Sequence, residues 1–322
     1  VPNDDDLGSS SGSVRIFTGT GTSWTQTAKL TAFDGTSSDQ FGTSVALDAS
    51  TALVGSPGDD DLGSSSGSAY VFSRGGATFN ILSKLLAADG SSSDQFGMSV
   101  ALDGAVALVG APGDDDRGSS SGSAYLFART GSSWTLQQKL TAPDGDIDAS
   151  FGATLSLKGT TALVSAPGDK DRGSVYVFTR SGTTWRQLQK ITASGAAISD
   201  GFGRGAAISS ETVVVGSPFD DDKGTDSGSA FFYSLSCGNP AGAPCLFSAS
   251  CASGACEDQV CCNGPCGGSG DCRACAKYAG ASEDGVCGLA KSGATCRALA
   301  GTCDIVDICS GTDPNCPGDN VK

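Results

Sequence analysis

Apolar and polar positions alternate in short runs along the first 236 residues, and each run is bounded by Gly, Pro, Ser or Asp. One stretch reads FGTSVALD (41–48), TALVGSPG (51–58), SGSAYVFSR (66–74) and TFNILSKLL (78–86), four runs with a period of two. Period-two alternation with β-branched residues between turn formers predicts β-strands, four to a unit. No segment keeps a helical spacing, and glycine-rich loops every ten or so residues would interrupt one.

The unit repeats. Phe-Gly recurs at Phe41, Phe96, Phe151 and Phe202, and the Pro that opens an Asp-rich loop recurs at Pro2, Pro57, Pro112, Pro167 and Pro218. A third register runs through Trp24, Phe79, Trp134 and Trp185, each followed by Lys29, Lys84, Lys139 or Lys190. Three markers on one period of 51 to 55 residues predict an all-β chain whose four-stranded units are blades of a β-propeller. Tyr70, Phe72, Tyr125, Phe127, Tyr176 and Phe178 occupy alternate positions of the third strand and read as packing between blades. The first unit supplies only strands three and four, and the last stops after its third. About five radial sheets are therefore expected, the ring being incomplete and its terminal edges covered by a neighbouring subunit or by sequence absent here.

The segments FGTSVALDASTALVGSPG, FGMSVALDGAVALVGAPG and FGATLSLKGTTALVSAPG resemble FG-GAP repeats, the units of the integrin α-subunit propeller, in their secreted bacterial form. The resemblance spans residues 1 to about 236 and implies an extracellular ligand-binding propeller. One departure matters. The family's calcium loop lies between the FG and GAP strands, where this chain has only DAST, DGAV or KGTT, so that metal loop does not carry over.

Composition adds constraints. The chain has no His, which excludes Ser-His-Asp and Cys-His relays. A net charge of −15 argues against nucleic acid as a partner, and no apolar run is long enough for a membrane span. The acids gather after the GAP strand: Asp4 and Asp6 around Asp5, Asp59, Asp60 and Asp61, Asp114, Asp115 and Asp116, Asp169 and Asp171, and Asp220 and Asp222 around Asp221. Adjacent carboxylates repel unless neutralised, and calcium takes six to eight oxygen ligands. One reading is a Ca²⁺ ion in each loop, whose removal by a chelator would lower the melting temperature. The other is a solvated loop whose Asp residues cap turns. In the third loop Lys170 replaces the middle acid and four residues are missing, so it is the loop expected to be empty. Asp39, Asp94, Asp148 and Asp200 precede each Phe-Gly and read as turn caps, with auxiliary metal ligation as the alternative. The runs Ser64–Ser66 and Ser119–Ser121 read as flexible loop, or as O-glycan acceptors.

From residue 237 the character changes. All fourteen cysteines, Cys237, Cys245, Cys251, Cys256, Cys261, Cys262, Cys266, Cys272, Cys275, Cys287, Cys296, Cys303, Cys309 and Cys316, fall in residues 237–322. An even, dense set predicts a disulfide-stapled module and an oxidising, secreted or cell-surface location. Zinc at the Cys272/Cys275 pair is the competing reading. The stretch CRALAGTCDIVDICSGTDPNCPGD resembles the C-terminal half of a disintegrin domain through Cys296, Arg297, Cys303, Asp304, Asp307, Cys309, Gly311, Cys316 and Pro317. Its recognition position holds Ala300-Gly301-Thr302 rather than Arg-Gly-Asp, so integrin binding is not inherited. The chain is thus expected to be two domains, 1–236 and 237–322. Its expected function is a non-enzymatic binding and adhesion protein offering loops to a protein or glycan. The alternatives are a subunit that self-assembles through open blade edges into a fibre or sheath, and a carboxylate-based glycan hydrolase. Repeated acids argue against the last, since a catalytic pair normally breaks a repeat rather than following it.

Overall fold

The structure is a computed structural model. It describes residues 1–76, 78–193, 197–209 and 212–234, and the backbone of six short strands beyond them. The chain packs as two compact units, Val1–Ile208 with Val214–Phe231, and Ser209–Val213 with Phe232–Lys322.

The strands follow the alternating runs. β1 (Val14–Thr20) and β2 (Ser23–Leu30) form a two-stranded sheet. Three four-stranded antiparallel meanders come next: β3 (Ser44–Asp48), β4 (Thr51–Ser56), β5 (Ser68–Gly75) and β6 (Thr78–Leu85); β7 (Ser99–Asp103), β8 (Val106–Ala111), β9 (Ser123–Thr130) and β10 (Ser133–Leu140); and β11 (Leu155–Lys158), β12 (Thr161–Ala166), β13 (Ser174–Ser181) and β14 (Thr184–Ile191). β15 (Gly205–Ile208), β16 (Thr212–Ser217) and β17 (Ser229–Ser234) form a three-stranded sheet. The chain is all-β and its sheets are propeller blades, with two, four, four, four and three strands as the unit count predicted. Among the described residues the only helical turn is a 3₁₀ turn at Asp169–Asp171.

Successive blades pack face to face because their second and third strands are apolar on both sides. On β5, Tyr70 and Phe72 share one core with Val54 of the same blade, Phe41 of the connection that leads into it and Leu30 of the preceding blade. Ala69 and Val71 face the other way and pack with Phe96, Val109, Tyr125 and Phe127 of the next. The Phe of each Phe-Gly pair is fully buried and meets the third-strand rings edge to face. Phe96 lies 5.3 Å from Tyr125 and 6.1 Å from Phe127, centroid to centroid. Burying each such ring contributes roughly 1.5–3 kcal/mol.

The serine runs are ordered connectors between blades. The N–H groups of Ser93, Gln95 and Phe96 donate to the carbonyls of Ser64, Ser65 and Ser66 at 2.8, 3.1 and 3.0 Å. The same triple bond joins Ser38, Gln40 and Phe41 to Ser9, Ser10 and Ser11, and Asp148, Ser150 and Phe151 to Ser119, Ser120 and Ser121. This differs from the flexible loop expected from composition, because the bonds are made by backbone groups to which the serine side chains are indifferent. Gly122, at φ +82°, permits the close approach; a Cβ there would sit 2.2 Å from the carbonyl oxygen of Phe151.

In the tail the backbone forms three two-stranded pairs: Cys256–Glu257 with Val260–Cys261, Arg273–Ala274 with Gly288–Leu289, and Thr295–Arg297 with Asp307–Ile308. The fourteen cysteine side chains, and with them the disulfide and zinc readings, lie outside the described residues.

Candidate functional site

The Asp-rich loop after β4 folds back over the end of the blade and points acids at the last residues of β6. Lys84 enters this acid cluster from β6. Its Nζ lies 2.8 Å from Asp34 Oδ2, 2.8 Å from Asp59 Oδ2 and 2.7 Å from Asp61 Oδ2. The Tyr70 hydroxyl donates to Asp34 Oδ1 at 2.7 Å and lies 3.0 Å from Asp59 Oδ2. The ammonium also sits 5.2 Å from the centre of the Tyr70 ring, within cation–π range.

The next blade repeats the cage. Lys139 Nζ lies 2.7, 2.8 and 2.6 Å from Asp89, Asp114 and Asp116, and the Tyr125 hydroxyl reaches Asp89 and Asp114 at 2.9 and 2.8 Å. In the third cage Lys190 holds Asp144 and Asp169 at 2.6 and 2.7 Å, and Tyr176 donates to Asp144 at 2.9 Å. At the chain start Lys29 pairs with Asp4 at 3.0 Å and with Asp6, and Arg15 stands where the other units have Tyr.

Electrostatics follow the geometry. Burial opposes the charge on Lys84, Lys139 and Lys190, but the surrounding carboxylates outweigh it and push all three ammonium groups above their ordinary value. Burial likewise works against ionised Asp34, Asp89 and Asp144; the lysine and tyrosine bonds prevail and hold these carboxyls below the usual range. Desolvation, reinforced by the adjacent Asp144, pushes the Tyr176 phenol up to about 12.

The acids expected to ligate calcium thus divide. Asp59, Asp61, Asp114 and Asp116 converge, and the three carboxylates Asp89, Asp114 and Asp116 lie close enough for a shared cation. That place is taken by a lysine ammonium, so with the lysine seated the donor set does not fit a metal ion. The middle acids turn away. Asp5, Asp60, Asp115 and Asp221 each accept a backbone N–H five residues on, at 2.7 Å. Asp171 is not part of the third cage. Asp220 and Asp222 share their own loop bond, Asp222 N–H to Asp220 Oδ1 at 3.0 Å, and no cation reaches them among the described residues. In that unit Phe231 replaces the tyrosine.

Three of the four acids before Phe-Gly behave as caps; Asp148 does not, because it stands one residue earlier than the others, where it is exposed at φ +59°, and Ala149 fills the buried cap position. Asp39 accepts the N–H and hydroxyl of Thr36 at 2.7 and 2.9 Å, and Asp94 and Asp200 accept the N–H groups of Ser91 and Ala197 at 2.7 Å. Burial pushes the carboxyls of Asp39 and Asp94 up.

Sequence reasoning did not single out Asp34, Asp89 or Asp144, and gave Lys84, Lys139 and Lys190 no role beyond marking the period. It read Tyr70, Tyr125 and Tyr176 as packing only, whereas their rings pack and their hydroxyls close the cages. A signal was present in the repeats themselves. The unit whose tyrosine becomes Phe231 also has Ser194 where the others have the first Asp.

The third loop differs most. Lacking the serine run, it leaves a cavity of about 620 Å³ lined by Asp144, Asp169, Lys170, Arg172, Lys190 and Thr192, among others.

Comparison with known proteins places the repeats in a family. The FG-GAP repeat model matches residues 24–72, 80–127, 134–178 and 185–233. No curated protein matches the sequence. Among solved structures, the crystal structure of Saccharomyces cerevisiae Sqt1 aligns at 11% identity and a TM-score of 0.37, over 57% of this chain and 44% of that one.

Proposed function

We propose that this chain, which belongs to the FG-GAP repeat family, is a non-enzymatic extracellular protein that binds a glycan through its propeller loops. What supports the non-enzymatic part of this reading is the charge balance of the cages: their carboxylates are spent on lysines of the same chain. A glycosidase needs one acid held protonated and one carboxylate ionised across an open cleft. Carboxylates paired with lysines in this way serve a rigid scaffold, and on such a scaffold the loops are free to differ from unit to unit.

The test is an array of glycans probed with the full chain, with product analysis of every glycan bound. Saturable binding without turnover is the expected result. Hydrolysis of a bound glycan, or an array on which nothing is retained, would overturn the proposal.

A second reading, self-assembly, is favoured by one observation. Val45 and Leu47 on β3 are 59% and 67% exposed, whereas their counterparts Leu155 and Leu157 on β11 are buried. Sedimentation over a range of concentrations checks it: a constant monomer mass argues against assembly through this face.

A further inference from the structure

We infer that the third acidic loop is a binding site for a small acidic sugar, with Lys170 and Arg172 receiving its carboxylate. This deepens the glycan-binding reading above and rests on it.

The loop breaks the repeat in three ways that act together. It is shorter: PGDKDRG (167–173) stands where the second unit has PGDDDLGSSSG (57–67), and the missing serines are those whose carbonyls bond to the next blade elsewhere. Among the described residues two interblade bonds are made here, from the N–H groups of Ser199 and Phe202 to the carbonyls of Asp171 and Arg172, at 2.6 and 3.3 Å. A cavity of about 620 Å³ opens, within the range of small-molecule sites.

Its charge is neutralised where the other cages are acidic: Lys170, Arg172 and Lys190 balance Asp144, Asp169 and Asp171. Lys170 stands where the other units have Asp60, Asp115 and Asp221, and its backbone is left-handed at φ +49°. Lys170 and Arg172 are exposed, line the cavity and form no ion pair among the described residues. Two unpaired cations on a chain of net charge −15 mark a local preference for an anion. A guanidinium fork suits a planar carboxylate.

The loop also holds an unpaired acceptor. In the other loops the first Asp accepts the N–H two residues on, as Asp61 N–H does with Asp59 Oδ1 and Asp116 N–H with Asp114 Oδ1, both at 3.1 Å. Here the 3₁₀ turn redirects that donor: Asp171 N–H goes to the Gly168 carbonyl at 3.0 Å. Asp169 Oδ1 is left buried without a partner, while Oδ2 is held by Lys190. A buried oxygen of this kind calls for a donor. An anion alone cannot supply one, and a neutral sugar would leave the cations unpaired. A uronate carries both a carboxylate and hydroxyl donors on one ring.

Calorimetric titration of the full chain with galacturonate and its short oligomers tests the site, with galactose and inorganic phosphate as comparison probes. Saturable uronate binding is expected, weakened about tenfold in both Lys170→Asp and Arg172→Leu, which restore the residues of the second unit. Both side chains are exposed, so the melting temperatures of the variants should match that of the parent. The inference is overturned if uronate does not bind, if the variants bind as well as the parent, or if galactose or phosphate binds equally well. Array ligands retained equally by Lys170→Asp would remove this site and leave the broader reading standing; an empty array together with no uronate binding removes both.

Discussion

Lys139 shows how one side chain settles the fate of three others. Removing an ammonium from water is costly, and so is crowding Asp89, Asp114 and Asp116; each cost is offset by the other group. Replacing Lys139 with Met leaves those acids facing one another, and with the lysine 19% exposed the loss should lie near the lower end of the range for a broken buried pair, about 3 kcal/mol. Urea denaturation of the parent and of Lys139→Met, each with and without a chelator, checks this. The variant should be less stable, and the parent's midpoint should not move when calcium is removed. Acidity should tell the same story. The depressed carboxyls of Asp34, Asp89 and Asp144 stabilise the fold above the unfolded value of 3.8, and that contribution is lost as pH falls through the folded value. The raised ammonium groups contribute fully below the unfolded value of 10.5 and lose their contribution as pH rises through the folded value. Asp39 and Asp94, pushed up by burial, act in the opposite sense to the other carboxyls: they favour the fold below 3.8 and cease to do so as pH rises through their folded values. A stability plateau from about pH 5 to 10 is expected, with a shallower alkaline limb in Lys139→Met. Denaturation midpoints measured from about pH 3 to about pH 12, beyond both ends of the plateau, decide it.

Between elements, what holds blade to blade is backbone as much as side chain. The bonds from the serine runs predict slow hydrogen exchange at Ser93, Gln95 and Phe96; exchange as fast as in an unstructured loop would contradict the connector. Gly122→Ala forces a Cβ into the Phe151 carbonyl and should cost at least about 2 kcal/mol in the same denaturation assay. The reverse exchange suits the β3–β4 turn. Ala49 holds φ +43° where the equivalent turns have Gly104 and Gly159, so Ala49→Gly should stabilise by roughly 0.5–1 kcal/mol. The strands themselves were legible, since alternation and turn formers are local signals. The connectors were not, because Ser64, Ser65 and Ser66 engage the next blade through carbonyls that every residue type carries. Asp39 and Asp94 were legible as caps, because an acid before a tight turn finds its donor three residues away.

For the whole molecule, the period alone disclosed the sheets and their number, because a spacing kept by Phe-Gly, Pro and Lys leaves little freedom in how units are cut. The cages escaped notice for a reason of distance: Asp34 and Lys84 are 50 positions apart and meet only because neighbouring blades stack. A triplet of acids read in isolation asks for a cation, and sequence offers no measure of which cation stands nearest. The fold therefore carries its own counter-ions, one to a cage. That arrangement bears on how the protein can be handled. Amine-reactive esters attack unprotonated, accessible lysines, and Lys84, Lys139 and Lys190 are neither, being 12%, 19% and 19% exposed and held protonated. Lys158, at 55% exposed, and the solvent-facing Lys170 are open to reagent. Mild acylation followed by peptide mapping should mark these two and spare the caged three. A dye or bead can be attached through Lys158 without opening a blade, whereas one coupled at Lys170 would stop the mouth of the third-loop cavity.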